Sequence, residues 1–192
     1  MKENKTNHIN YKDIFIIISN KGGVGKTNSS IQVIAPSLYL NNPDKKIHVW
    51  EIDNNNNTKK HISSKYIQYE SMKLSKSEMA INDIEFSNLT DPNTVHVVDS
   101  GGSDDSKKIL AHLKQVNLIG LQYIIPTNED MEQIDNITEI IEIIRQQDKF
   151  AKIYLLLNRC ISLKEDEIRK QFINVFGSKD LGIPSQIENL KI

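Results

Sequence analysis

The sequence predicts an α/β fold: a doubly wound, mostly parallel sheet with helices on both faces. Three observations carry that prediction. Short, near-continuous apolar runs recur, as in Ile14-Phe15-Ile16-Ile17-Ile18 and Val95-His96-Val97-Val98. Such runs suit strands that are covered on both sides. Segments with helical spacing lie between them, and Ile134, Ile137, Ile140, Ile141 and Ile144 form one such stripe. Finally, several runs end in polar or glycine-rich residues, where ligands sit in open α/β sheets. Strands alternating with helices imply crossover connections and parallel pairing.

In chain order, residues 1–12 are polar and aperiodic and read as a flexible N-terminal tail with no room for a helix-turn-helix domain. Residues 13–192 read as a single domain, long enough for its own core. A strand is expected over 13–19. A helix follows from Thr27 to about Tyr39, kinked or ended early at Pro36, which lacks the N–H that a helix interior needs. Asn41-Asn42-Pro43-Asp44 is a turn. A strand over 47–52 ends at Asp53. Residues 58–64 read as a short helix, 65–72 as a short strand and 77–89 as an amphipathic helix. A buried strand over 94–98 leads to Asp99-Ser100-Gly101-Gly102. A helix over 106–116, a strand over 118–125 and a helix over 129–147 come next. A strand over 152–157 ends at Asn158-Arg159, and a helix over 164–175 has Gly177 as its C-terminal cap. Residues 182–192 carry no clear pattern.

Composition removes several classes of function. The formal net charge is −1, so the chain is not a polycation built to coat nucleic acid. Charge is uneven, however: residues 1–60 hold nine lysines against five acids. The single cysteine, Cys160, excludes an internal disulfide and a paired-cysteine metal site, and reads as a small buried residue at a strand end. The five histidines have no metal-ligand spacing. No run reaches transmembrane length and the N-terminus is no secretory signal, so the expected compartment is the cytoplasm.

The chemistry concentrates in Asn20-Lys21-Gly22-Gly23-Val24-Gly25-Lys26-Thr27, placed between the first strand and the first helix. That context turns a glycine-rich pattern into a phosphate-loop prediction. Glycines let backbone N–H groups turn inward around phosphate oxygens, and the helix N-terminus adds its dipole. Lys26 then reaches the β- and γ-phosphates of a nucleotide, and Thr27 offers its hydroxyl to Mg²⁺. The plainer reading, a glycine-rich turn with no ligand, does not explain three glycines in four positions followed by Lys-Thr. Asp99, after an apolar strand, is the candidate carboxylate for Mg²⁺. Strand-terminal aspartates often serve only as helix caps, but a phosphate loop upstream shifts the weight to function.

Lys-Gly-Gly-Val-Gly-Lys-Thr resembles the deviant Walker A motif of the ParA/MinD ATPases, with Asn20 at a slot that the general pattern gives to glycine. The resemblance implies the P-loop NTPase fold, ATP and Mg²⁺ as ligands, and a contact from Lys21 to the nucleotide of a partner subunit. It implies that Gly22, Gly23, Val24, Gly25, Lys26, Thr27 and Asn28 bind the phosphates and that Thr27 and Asp99 hold the metal. Glu51-Ile52-Asp53-Asn54-Asn55-Asn56-Asn57 is similar to the family's first switch. There Asp53 orients the attacking water, while Glu51, Asn54 and Asn55 depart from the family pattern. The bland alternative for Asp53 is a turn residue opening an Asn-rich loop. Asn158-Arg159 resembles the family's adenine-side pair, and an ordinary polar strand end competes with that reading.

The function so implied is an ATP-dependent dimerisation switch with slow, partner-stimulated ATP hydrolysis. It would act in plasmid or chromosome partition through nonspecific DNA and a centromere-binding, ParB-like partner. Arg159, Lys164, Arg169 and Lys170 are candidates for a DNA-facing patch, diluted by Glu165, Asp166 and Glu167. A membrane role is disfavoured, because the C-terminal residues hold a proline and one basic residue. Conjugation or plasmid-stability accessories share the same core and stay open. A P-loop biosynthetic ligase or kinase is the alternative of a different class, and a lysine placed to act on a partner argues against it.

Overall fold

The structure, a computed structural model, describes residues 11–54, 64–102 and 104–185, apart from the side chains of 131–133. Residues 55–63, which hold most of the helix expected at 58–64 and the end of the first-switch segment, lie outside these, as do residues 1–10 and 186–192.

The first strand is β1 (Ile14–Ile17). A helical rod follows in three pieces: α1 (Lys26–Ser29), a π-helical stretch (Ser30–Ile34) and α2 (Ala35–Asn41). Pro36 therefore neither ends nor breaks the helix as the sequence led us to expect. The turn before it widens instead, so that the Ala35 N–H donates to Ser30 O, five residues back. A π-bulge of this kind absorbs a change of hydrogen-bond register inside a helix. Next come β2 (Lys46–Ile52), the edge strand β3 (Ile67–Met72), α3 (Ser77–Thr90) and β4 (Thr94–Ser100). The chain continues through α4 (Asp104–Gln115), β5 (Gln122–Thr127), α5 (Met131–Gln147) and β6 (Lys152–Leu157). The last helix expected, over 164–175, is two: α6 (Glu165–Gln171) and α7 (Ile173–Phe176), broken at Phe172. Phe172 is fully buried with Ile134 and Val175, and the break lets its ring enter that small cluster.

The six strands form one sheet in the order β3-β2-β4-β1-β5-β6, and every neighbouring pair is parallel. Alternation along each strand splits the core in two. Ile14, Ile16, Trp50, Val98, Tyr123 and Ile125 face α3, α4 and α5, while Ile17, Ile47, Val49, Val95 and Val97 face α2. Burying an isoleucine side chain contributes about 2 kcal/mol. Two isoleucine-rich layers therefore hold short helices that would be marginal alone. All seven residues of β4 are buried, whereas β3 alternates between half-buried and exposed from Ile67 to Glu70 and buries only Met72, as a central and an edge strand should. Tyr11, counted with the polar tail on sequence grounds, is buried in the larger layer.

β5 starts later than its apolar run and ends later, with Pro126 inside it. Ile124 O accepts from Ile18 N, so residues 124 and 126 both turn their polar groups toward β1. Pairing with β1 stops at Ile124, so the missing N–H of Pro126 leaves no partner wanting. Among the described residues no helix is long and apolar enough to cross a membrane.

Candidate functional site

The strand order puts β4 beside β1 and β2 beside β4, so the loops after three strands open onto one place. There a cavity of about 540 Å³ is lined by Gly22, Gly23, Gly25, Lys26, Thr27 and Asn28 from the first loop. Asp53 enters from the end of β2, Ser100 from the last position of β4, and Gly102 and Asp105 from beyond it.

The loop conformation needs its glycines. Gly23 has φ 75° and Gly25 has φ 89°, both left-handed, and Gly25 caps α1. Gly102 brings the segment after β4 against the same loop. A Cβ there would stand 3.4 Å from the Gly22 backbone and 3.6 Å from Lys26 Nζ. These are ordinary contact distances, so the two loops lie in van der Waals contact beside Lys26.

Lys26 is buried, and its ammonium donates to Lys21 O at 3.0 Å. Burial lowers its pKa, and the charges of Asp99, Asp53 and Asp105 pull it back up. The cation is thus held among carboxylates at the cavity floor. Asp99 is 1% exposed, and among the described residues neither of its oxygens makes a hydrogen bond of good geometry. The Ser30 hydroxyl nearby spends its proton on Thr27 O at 2.9 Å. Burial, seconded by Glu51 on the adjoining strand, pushes the Asp99 acid up to about 7, against the opposing pull of the Thr27 hydroxyl and Lys26. A buried carboxylate with both oxygens unsatisfied is poised for a cation. Beside the Thr27 hydroxyl, an oxygen donor set of this kind suits Mg²⁺. Among the described residues no three His, Cys, Asp or Glu side chains cluster as a metal cage.

Two serines brace the floor. Ser100 Oγ donates to Ile17 O at 2.9 Å, and Ser106 Oγ lies 2.9 Å from both Ser19 O and Gly101 O. They fasten the end of β4 and the start of α4 to the end of β1.

Lys21 does not line this cavity. Its ammonium pairs with Asp130 Oδ2 at 3.2 Å, just ahead of α5. The neighbouring Asn20 donates to Glu139 Oε2 at 3.0 Å. Asn158 and Arg159 do not line it either. The Asn158 side-chain amide donates to Val24 O at 2.8 Å, and a Cβ on Gly25 would collide with that amide. Arg159, at φ 60°, reaches Gly23 O at 3.4 Å. Both brace the outside of the loop. The geometry gives Asn158 a structural task that the sequence did not announce. Cys160 is exposed rather than buried, with its Sγ 3.6 Å from Leu157 O, because β6 has already ended at Leu157. Asp105 was missed altogether. It lies six residues beyond Asp99 in the first turn of α4, where an acid reads as an ordinary partner of the helix dipole.

Solved structures share this architecture. A plasmid partition protein from Borrelia burgdorferi superposes with a TM-score of 0.56 at 19% identity, over 94% of this chain and 93% of that one. The likeness is one of fold: a parallel α/β sheet covered by helices. A ParA family ATPase from Chlorobium tepidum gives 0.51 at 16% identity, over 84% of this chain and 80% of the other. Cobyrinic acid a,c-diamide synthase from Mycobacterium smegmatis, solved with bound ADP and magnesium, gives 0.56 at 13% identity, over 85% and 81%. No family model matches the chain, and no curated protein matches it in sequence. The likeness is one of architecture, and in this chain the glycine-rich loop follows the first strand of that sheet.

Proposed function

We propose that the chain is a ParA-like ATPase that binds Mg-ATP in the cavity between the 22–28 loop and Asp53, and hydrolyses it slowly. One observation carries this reading. Lys26 is held inside the cavity among carboxylates, while Lys21, five residues earlier, stands outside it on an exposed ion pair. A site serving only its own nucleotide needs the first lysine and not the second. A lysine presented outward beside the loop suits a second subunit closing over the site, as the resemblance of the motif implies.

Each residue then has a task. The N–H groups around Gly22, Gly23 and Gly25 cradle phosphate oxygens, and Lys26 neutralises the β- and γ-phosphates. Thr27 and Asp99 hold Mg²⁺, which when bound would offset charge on the transferring phosphoryl group. Asp53 orients the attacking water. Asn28 stands at the rim, on the α-phosphate side. The synthase among the structural neighbours keeps a small-substrate enzyme in view as a second reading, and it is the position of Lys21 that weighs against it.

Partition is the finer part of the proposal, with nonspecific DNA and a ParB-like protein as partners. The candidate DNA patch is largely spent within its own helix. Lys164 pairs with Glu167 at 3.3 Å and Arg169 with Glu165 at 2.9 Å. Binding to duplex DNA therefore needs a second subunit to double the field, and should fall steeply with salt.

Equilibrium binding of a fluorescent ATP analogue with Mg²⁺, followed by phosphate-release kinetics, tests the reading. Wild type should bind and turn over slowly. Lys26→Ala should lose binding, and Asp53→Ala should bind but release little phosphate. Equal turnover by Asp53→Ala and wild type would remove Asp53 from its role.

A further inference from the structure

We propose that Asp105 is a positioning residue of this site: its carboxylate ties the backbone after β2 to the backbone after β4, and so fixes where Asp53 stands relative to Lys26. The proposal rests on the ATPase reading above.

Three observations meet at this carboxylate. Asp105 Oδ2 accepts from the Asn54 N–H at 3.5 Å, and Oδ1 accepts from the Asn54 side-chain amide at 3.4 Å. Each bond is long and weak alone. Together they engage both oxygens with the residue next to Asp53. The same carboxylate lies over the end of β4, where a Cβ on Gly101 would come 2.5 Å from Oδ2 and 2.9 Å from the Asp105 Cβ. Glycine at 101 is the vacancy into which Asp105 fits. Gly101 N–H in turn donates to Ile52 O at 2.8 Å, which fastens the two strand ends together beneath the clasp. Finally, Asp105 is one of the three charges that favour the ammonium form of Lys26, so the clasp also faces the lysine electrostatically.

Asp99 and Asp105 differ in what their oxygens do. Both oxygens of Asp99 are buried and unsatisfied, which suits a cation. Both oxygens of Asp105 are turned to Asn54, which suits a strut. A water-orienting carboxylate that moves by about 1 Å loses on the order of 100-fold in rate.

The test uses the full chain and two measurements, the equilibrium dissociation constant of the fluorescent ATP analogue and kcat for phosphate release. Asp105→Ala should lower kcat about 10- to 100-fold and leave the dissociation constant within about threefold. Asn54→Ala should lower kcat in the same direction, and the double variant should be no worse than the poorer single one, as two ends of one clasp require. Asp105→Asn keeps one oxygen acceptor and should retain more activity than Asp105→Ala. Being nearly isosteric, it also keeps the test decisive if the alanine variant fails to fold. Unchanged kcat in Asp105→Ala, additive losses in the double variant, or weakened binding that matches the loss in kcat would each overturn the proposal while leaving the ATPase reading intact. A wild-type chain that binds ATP but never releases phosphate would overturn both.

Discussion

Lys26 and Asp99 are the two buried charges of the site, and each is costly without its ligand. For Asp99 the cost has a definite pH dependence. Its acid titrates at about 7 in the fold against 3.8 for an ordinary aspartic acid. The unfolded chain therefore gives up this proton at lower pH than the folded one. The contribution to stability is full below about 4 and is lost as pH rises through 7. Asp99→Asn removes the penalty. Without nucleotide it should melt above wild type at pH 8 by at least ~1 kcal/mol, with the gap shrinking toward pH 5. Thermal melts at the two pH values check this, and an equal gap at both would refute it. That Lys26 and Asp53 share one cavity was legible in the sequence, because a loop of fixed spacing and a strand end announce them. Asp105 was not, since its partner Asn54 is 51 residues away and only the β2–β4 pairing brings them together. The bond from Asn158 to Val24 O was not legible either, because a polar strand end looks the same whether it faces a nucleotide or a loop carbonyl.

At the scale of elements, the loop and the end of β6 lock together. Gly25 occupies a left-handed conformation and its missing Cβ leaves room for the Asn158 amide. Gly25→Ala should cost about 1–2 kcal/mol for the backbone alone, plus the clash. Asn158→Ala should cost about 1 kcal/mol for the lost bond to Val24 O. In the double variant the clash disappears, so urea denaturation should show the pair to be less damaging than the sum. Additive losses would mean that the two residues do not interact. Element existence was readable from periodicity, because burial writes itself into the spacing of Ile, Leu and Val. Element limits were not. Leu118 and Leu121 are buried yet precede β5, so apolar character located the segment but not its pairing. Pro36 argued for a break, and the register shift from Ser30 to Ile34 absorbed it. Phe172 split a helix that its amphipathic pattern had made continuous, because a buried ring outweighed local propensity.

At the scale of the whole molecule, alternation of strands and helices made the parallel sheet legible, but nothing in it dictated the order β3-β2-β4-β1-β5-β6. That order depends on which faces the crossing helices cover, and it is what brings the ends of β1, β2 and β4 together. It also leaves Lys21 on the outer side of its loop, paired with Asp130 where the two side chains are 30% and 47% exposed. An ion pair this exposed contributes about 0–1 kcal/mol. The proposed two-subunit switch would require a phosphate of the partner's nucleotide to replace Asp130 at Lys21. Asp130→Ala should change stability by less than about 1 kcal/mol and should not weaken assembly with ATP.

Sedimentation velocity of the Asp53→Ala chain at saturating Mg-ATP decides whether that replacement occurs, since slowed hydrolysis would hold the nucleotide in place. The expected result is a species of twice the monomer mass that returns to monomer when ADP replaces ATP. Adding Lys21→Ala should abolish it while binding of the fluorescent ATP analogue persists. A chain that binds ATP yet stays monomeric, or a dimer indifferent to Lys21, would contradict the two-subunit switch.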